Sequence, residues 1–154
     1  MSILITDMLE EDFAPYLDNS TKEYAKEKQQ SGAWPAERAL MNARAEISRL
    51  LPQGYRTANH RFLSLVDETG RKVGIFWLQL SPERREAFIY DFEIFEPYRG
   101  HGLGQLAMQT LFVYCRTLGL IKISLHVFAH NTRAYHVYQK LGYQATDINM
   151  SKWL

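Results

Sequence analysis

The sequence predicts a mixed α/β fold: a central, mixed but mostly antiparallel sheet flanked by helices, in the order β-α-α-β-β-β-α-β-α-β. Three observations carry this. Apolar residues recur with a helical period up to Gly54, with a period of two from Phe62 to Phe95, and with a helical period again after Gly104. Short turn-forming links join the middle strands, which makes those strands antiparallel. A long amphipathic helix separates the two strands that follow, which favours a parallel pair.

In order, Ile3-Leu4-Ile5 is a short first strand. Asp7 to Gln30 reads as helix, with Phe13, Leu17, Tyr24 and Lys28 near one face, a break at Asn19-Ser20 and an end at Ser31-Gly32. Trp34-Pro35 opens a second helix, since proline is tolerated in a first turn. Its stripe is Leu40, Ala43, Ile47, Leu50 and Leu51, closed by Pro52-Gln53-Gly54. Phe62 to Val66 is a strand, Asp67-Glu68-Thr69-Gly70 a hairpin turn, and Val73 to Leu80 the returning strand. After the turn Ser81 to Arg85 comes a third strand, Ala87 to Phe95.

Leu103, Leu106, Ala107, Thr110, Leu111, Tyr114, Cys115 and Leu118 then form one helical stripe, stopped by Gly119. Ile121 to Val127 is the next strand. A last helix, started by Asn131-Thr132 and stopped at Gly142, carries Ala134, Val137, Tyr138 and Leu141 on one face. Tyr143 to Trp153 is expected to close the sheet as a final strand or hairpin. No repeat or linker interrupts the chain, so residues 1–154 read as one domain.

Composition narrows the function. A net charge of +1 argues against a dedicated nucleic-acid binder, which carries a strong basic excess. No apolar run reaches membrane-span length, and the first residues lack a basic region and a cleavage pattern, so a cytoplasmic protein without a membrane role is expected. The single cysteine, Cys115, allows no internal disulfide, and its place on the helical stripe marks it as core rather than nucleophile. His60, His101, His126, His130 and His136 have no metal-ligand spacing, so no metal is expected.

The stretch Glu93 to Gln105 concentrates the chemistry. It ends a strand, passes through Gly100, Gly102 and Gly104, and begins a helix. The first turn of a helix has free N–H groups and the positive end of the peptide dipole. Glycines let a ligand approach that turn without meeting a Cβ. Such a loop cradles phosphate or pyrophosphate, with the charge of Arg99 beside it. It is not a dinucleotide fingerprint, because its last glycine falls one residue early and the following strand runs into Phe128-Ala129-His130-Asn131 without a carboxylate. It is not a P-loop, because Gln105 and Leu106 follow Gly104.

The loop resembles the acetyl-CoA signature of the GNAT acetyltransferase superfamily, R/Q-x-x-G-x-G/A, with Arg99, Gly102 and Gly104 at its defining positions. The segment Asn131 to Tyr143 resembles a second GNAT signature, N-x-x-A-x-x-x-Y-x-K-x-G-F/Y, with every anchor filled. The element order resembles the family's too, over nearly the whole chain. The resemblance implies acetyl-CoA as cofactor. Amides from Arg99, Gly100, His101, Gly102, Leu103, Gly104 and Gln105 would hold its pyrophosphate. The strand edge at Ile94 and Phe95 would bond its pantetheine arm as an added strand does. Asn131 and Ala134 would meet the arm from the other side, and Tyr138 would protonate the leaving thiolate. Asn131 also reads as an ordinary N-cap, and Tyr138 as core.

Transfer to an amine needs a base, because a free alkylammonium has a pKa of roughly 10. In Ala87 to Phe95, strict alternation puts Phe88, Tyr90, Phe92 and Ile94 on one face and Asp91 and Glu93 on the other. Two carboxylates so placed lie about 7 Å apart. Burial and mutual repulsion raise the pKa of at least one. Glu93, nearer the loop, ranks first as base, with Asp91 as helper or acceptor anchor. His126, with Ser124 on the polar face of the next strand, offers a proton relay. Tyr24, Trp34, Arg38 and Trp77 are candidates to shape the acceptor pocket.

The expected function is acetyl transfer from acetyl-CoA to a primary amine of a small molecule, peptide or protein, by direct attack in a ternary complex. The alternative is a CoA-binding sensor without transfer activity. The expected assembly is a monomer or homodimer.

Overall fold

The computed structural model describes residues 1–154. Its strands are β1 (Ile3–Asp7), β2 (His60–Asp67), β3 (Lys72–Ser81), β4 (Glu86–Ile94) and β5 (Lys122–Leu125). Its helices are α1 (Glu10–Gln30), α2 (Ala36–Leu50), α3 (Leu103–Thr117) and α4 (Thr132–Lys140). The strands lie in sequence order in one sheet. The first three pairings are antiparallel, and β4 with β5 is parallel.

Each face of the sheet is covered because the strands alternate. Leu63, Leu65, Phe76 and Leu78 pack against Leu103, Ala107, Met108, Leu111 and Cys115 of α3. On the opposite face, Phe62, Ile75 and Trp77 meet Phe13, Tyr16, Leu17 and Tyr24 of α1 and Ile47 of α2.

Four expectations need correction. The sheet has five strands, and Tyr143 to Trp153 adds none. Tyr143 packs near Phe112 and Tyr138, but Gln144-Ala145-Thr146-Asp147 beyond it offers no large apolar side chain to hold the chain against the sheet. Helix α1 has no break at Asn19-Ser20, because packing on both sides of that turn outweighs a few tenths of a kcal/mol of helix propensity. The α2 stripe runs through Ala39, Ala43, Ile47 and Leu51, and Leu40 is 36% exposed. Small residues there, with Ala25, let α1 and α2 approach closely.

The fourth correction bears on the site. Trp77 opposes Asp91 whereas Leu78 opposes Ile89, so Tyr90 is the extra residue of a β-bulge. The bulge breaks the alternation. Ala87 and Ile89 join Phe92 and Ile94 on the α3 face, while Phe88 and Tyr90 fall with Asp91 and Glu93 on the α1 face. It also marks where β4 leaves β5, since their pairing ends at Ile89 and Leu125.

Candidate active site

The parting of β4 and β5 opens a cavity of about 380 Å³. Its walls are the end of β4 (Phe92, Glu93, Ile94), the loop (Arg99, Gly104) and one face of α4 (Asn131, Arg133, Ala134, Val137, Tyr138, Leu141). Two segments singled out in the sequence, 27 residues apart at Gly104 and Asn131, thus meet across one space.

The loop is built as a donor surface. A short 3₁₀ turn, Glu96–Tyr98, ends β4, and Gly100 and Gly102 take φ of +83° and +79°, a left-handed conformation that glycine adopts freely. Gly102 is the N-cap of α3 and brings no side-chain cap. None of the amides from Gly100 to Gln105 donates to a protein acceptor. A Cβ placed on Gly100, Gly102 or Gly104 would meet nothing within 4 Å. These donors, beside a cavity that ends on polar side chains, fit a pyrophosphate and the arm attached to it.

Helix α4 is different at the same point. Its N-cap Asn131 accepts from the Ala134 amide at 3.3 Å, so the capping role expected of Asn131 is present in the structure. Asn131 and Ala134 both still line the cavity.

Not every expected residue faces this space. Leu103 is buried in the core, so only its main chain is available to a ligand. Phe95 packs toward the α1 face. His101 lines a second hollow of about 310 Å³ with Arg71 and Tyr98. Gly100 and Gln105 flank the cavity through the loop backbone without lining it. His126 lies past the end of β5, exposed, with its ring 4.9 Å from that of Phe128. Partial desolvation of the ring, and then nearby Lys28, hold its pKa down. Trp77 belongs to the core. Tyr24 and Trp34 stack edge-on at 5.7 Å, with the Lys28 ammonium over both rings.

The two carboxylates share a strand face but have different settings. Asp91 is gripped from α1: Tyr16 Oη donates to Oδ2 at 2.7 Å and Ser20 Oγ donates to the same atom at 3.1 Å. No side chain bonds Oδ1. Burial raises the pKa of Asp91, and the two hydroxyl donors pull against that rise. Tyr16 is itself held well above the usual phenol range, first by burial and then by Asp91. Glu93 is 32% exposed and faces the cavity. Burial raises its pKa first and the Asp91 charge next, while Arg99 opposes both. The Arg99 Nη2–Glu93 Oε1 distance is 3.4 Å, and Arg99 Nε donates to the Ile94 carbonyl at 2.7 Å. Arg99 therefore folds back over the end of β4 and is not aimed along the loop.

Tyr138 lies half-buried across the cavity from β4, its ring 5.8 Å from that of Tyr143. No protein hydrogen bond involves its hydroxyl. Burial, and then the Asp91 charge, raise its pKa, so Oη keeps its proton at neutral pH.

Sequence reasoning missed Tyr16, Ser20 and Gly74. The i, i+4 spacing of the first two on α1 was a usable signal. Gly74 sits inside β3, where an added Cβ would collide with the Glu93 carbonyl oxygen. An isolated glycine in a strand marks this kind of close backbone approach.

The profile of the acetyltransferase (GNAT) family matches residues 7–143. The "uncharacterized N-acetyltransferase" YycN of Bacillus subtilis (strain 168) is 43% identical, with all of both chains covered. YdgE of the same organism, also named an uncharacterized N-acetyltransferase, is 39% identical over 100% of this chain and 99% of its own. The crystal structure of Bacillus subtilis YycN superposes with a TM-score of 0.96, at 42% identity and 99% coverage of each chain. The PaiA N-acetyltransferase of Thermoplasma acidophilum, solved in complex with coenzyme A, shares the fold at a TM-score of 0.69 and 18% identity, over 97% of this chain and 94% of that one.

Proposed function

The chain belongs to the GNAT acetyltransferase family, and from that premise we propose that it moves an acetyl group from acetyl-CoA to a primary amine by direct attack in a ternary complex. The acceptor is an amine of a small molecule, peptide or protein. The observation that carries the reading is the run of partnerless amides from Gly100 to Gln105, opening onto a cavity bordered by Glu93 and Tyr138. The coenzyme A of the Thermoplasma acidophilum fold neighbour supports the choice of carrier.

In this reading the amides of Gly100, His101, Gly102, Leu103, Gly104 and Gln105 surround the pyrophosphate, while the Arg99 amide, also expected to take part, is spent on the Glu96 carbonyl at 3.2 Å. The end of β4 at Ile94 faces the pantetheine arm, Phe95 just beyond it giving its amide to the Val73 carbonyl instead, and Asn131 and Ala134 bound the arm on the α4 side. When bound, acetyl-CoA supplies an acyl carbon activated as a thioester and a thiolate as leaving group. Glu93 takes a proton from the acceptor ammonium, for which its raised pKa suits it. Asp91 attracts the same ammonium through Oδ1, its other oxygen being fixed by Tyr16 and Ser20. As the N–C bond formed and the S–C bond broke, Tyr138 Oη would give its proton to the departing sulfur, and the second proton shed by the acylated nitrogen would restore it through solvent. Cys115 is buried, and burial pushes its thiol up to about 11, so it is unsuited to carry an acyl group.

The test is a panel of amines incubated with acetyl-CoA while free CoA is detected. At least one amine should give CoA release above hydrolysis and an acetylated product by mass. A silent panel, with CoA still bound, would favour a sensor over an enzyme.

A further inference from the structure

Beyond Ile89 and Leu125 no strand pairing joins β4 to the chain that follows β5. The two banks of that gap carry different parts of the site. Glu93 stands on the β4 bank, and Asn131 and Tyr138 stand on the other, at the head and in the body of α4. Their separation matters, because a displacement of about 1 Å between reacting groups can cost a large factor in rate. Helix α4 has no buried residue and meets the core through Tyr138 and its C-cap Leu141. Those contacts lie at the far end of the helix from Asn131, so its head needs another tie.

Helix α1, on the opposite face of the sheet, supplies one. Tyr16 and Ser20 fasten it to Asp91 on the β4 bank. Seven residues beyond Ser20, about 10 Å along the helix, Glu27 Oε2 meets His130 Nε2 at 2.6 Å. The contact joins side chains 103 residues apart, and His130 directly precedes the N-cap of α4. The segment it grips is ordered. The ring of Phe128 lies 4.9 Å from that of His126 and stacks at 5.4 Å on that of His130, and the Asn131 amide donates to the Phe128 carbonyl at 2.9 Å. A constraint on His130 is thereby passed to Asn131. Lys28, next to Glu27, is drawn away over the rings of Tyr24 and Trp34, which leaves the Glu27 carboxylate to His130.

We infer that Glu27 and His130 are positioning residues: their contact makes α1 a brace across the gap, pinned to β4 at Asp91 and to the head of α4 at His130, and so sets how far Glu93 stands from Asn131 and Tyr138. The effect on rate rests on the transfer reading given above; the brace itself is a property of the free chain. Neither residue lines the cavity, so both act through the walls they hold. Their side chains are 39% and 24% exposed, and pairs so open to water contribute little to stability. Breaking the contact therefore moves one wall of the cavity without unfolding the protein.

Glu27→Ala, His130→Ala, the double variant and Glu27→Gln test this. Each Ala variant should keep the wild-type midpoint in urea unfolding, while kcat with acetyl-CoA and an accepted amine falls about tenfold. The double variant should be no slower than either single one, because the same contact is lost in all three. Glu27→Gln keeps a carbonyl oxygen for the His130 N–H and should recover most of the rate. In the free protein, hydrogen exchange at the amides of Asn131, Ala134 and Tyr135, all bonded within the head of α4, should quicken at least about threefold in the Ala variants and stay unchanged in β2 and β3. That readout needs no turnover, so it decides the brace even if the chain transfers nothing. Unchanged exchange at those amides overturns the inference. So do a wild-type rate in the Ala variants, losses of rate that add in the double variant, or a fall in the unfolding midpoint that accounts for the lost activity.

Discussion

The two ends of the sheet obey the same rules and reach different outcomes. From β1 to β3 the strands are paired along their length, and Leu63, Leu65 and Phe76 are wholly buried. The hairpin between β2 and β3 is closed around Asp67, which accepts from Thr69 and Arg71 and is held down at about 2 by those bonds. From β4 to β5 the pairing stops after four residues, and no residue of β5 is buried. The first region provides stability, and the second keeps donors, carboxylates and a cavity available. A single extra residue, Tyr90, lies at the seam between them.

The division predicts separable effects. The largest is expected at Glu93: Glu93→Gln should lower kcat by about 10²–10⁴ through loss of the base, with the unfolding midpoint and CoA affinity nearly unchanged. A parallel loss of stability in urea unfolding would break the division. In the closed region, Leu65→Ala should cost about 2–5 kcal/mol in urea unfolding, leaving KM for acetyl-CoA little changed in the fraction that remains folded.

Gly74 lies where the regions join, so Gly74→Ala should affect both. The added Cβ meets backbone at Glu93, which cannot rotate away, and about 1–3 kcal/mol of stability should be lost together with activity. Loss of only one of the two would show that the seam is softer than described.

The smallest effect concerns Asp91. The hydroxyl of Tyr16 lowers the Asp91 pKa, so Tyr16→Phe should raise it. Activity that needs Asp91 ionised would then fail earlier on acidification, and the acid limb of the kcat/KM profile should move to higher pH. One neutral hydrogen bond contributes about 1 kcal/mol, so the rate at the optimum should fall less than about tenfold. An unmoved acid limb would mean that Asp91 has no part in the titrating step.

Much of this was legible in the sequence because local pattern and tertiary demand agree there. The glycine loop, the α3 stripe and the parallel β4–β5 step follow from residues acting on their immediate neighbours. The bulge at Tyr90 did not, because its cause is register against β3 and strict alternation cannot reveal an extra residue. Strict alternation therefore put Phe88 and Tyr90 on the wrong face, although the pairing of Asp91 with Glu93 on one face survived, since both follow the bulge. The hold of Tyr16 and Ser20 on Asp91 spans more than 70 residues and depends on how α1 lies across the sheet. The tail was read as a strand from its pattern, and the pattern is present; its partner strand within the same chain is not.

The central claim is that main-chain nitrogens at the start of α3 hold the diphosphate of acetyl-CoA. It is tested most directly by titrating the isotopically labelled protein with CoA and following each backbone amide by NMR. The account predicts large, saturable shifts at Gly100, His101, Gly102, Leu103, Gly104 and Gln105, moving together with one dissociation constant. Saturation of the protein with CoA while those six signals stay in place would contradict it.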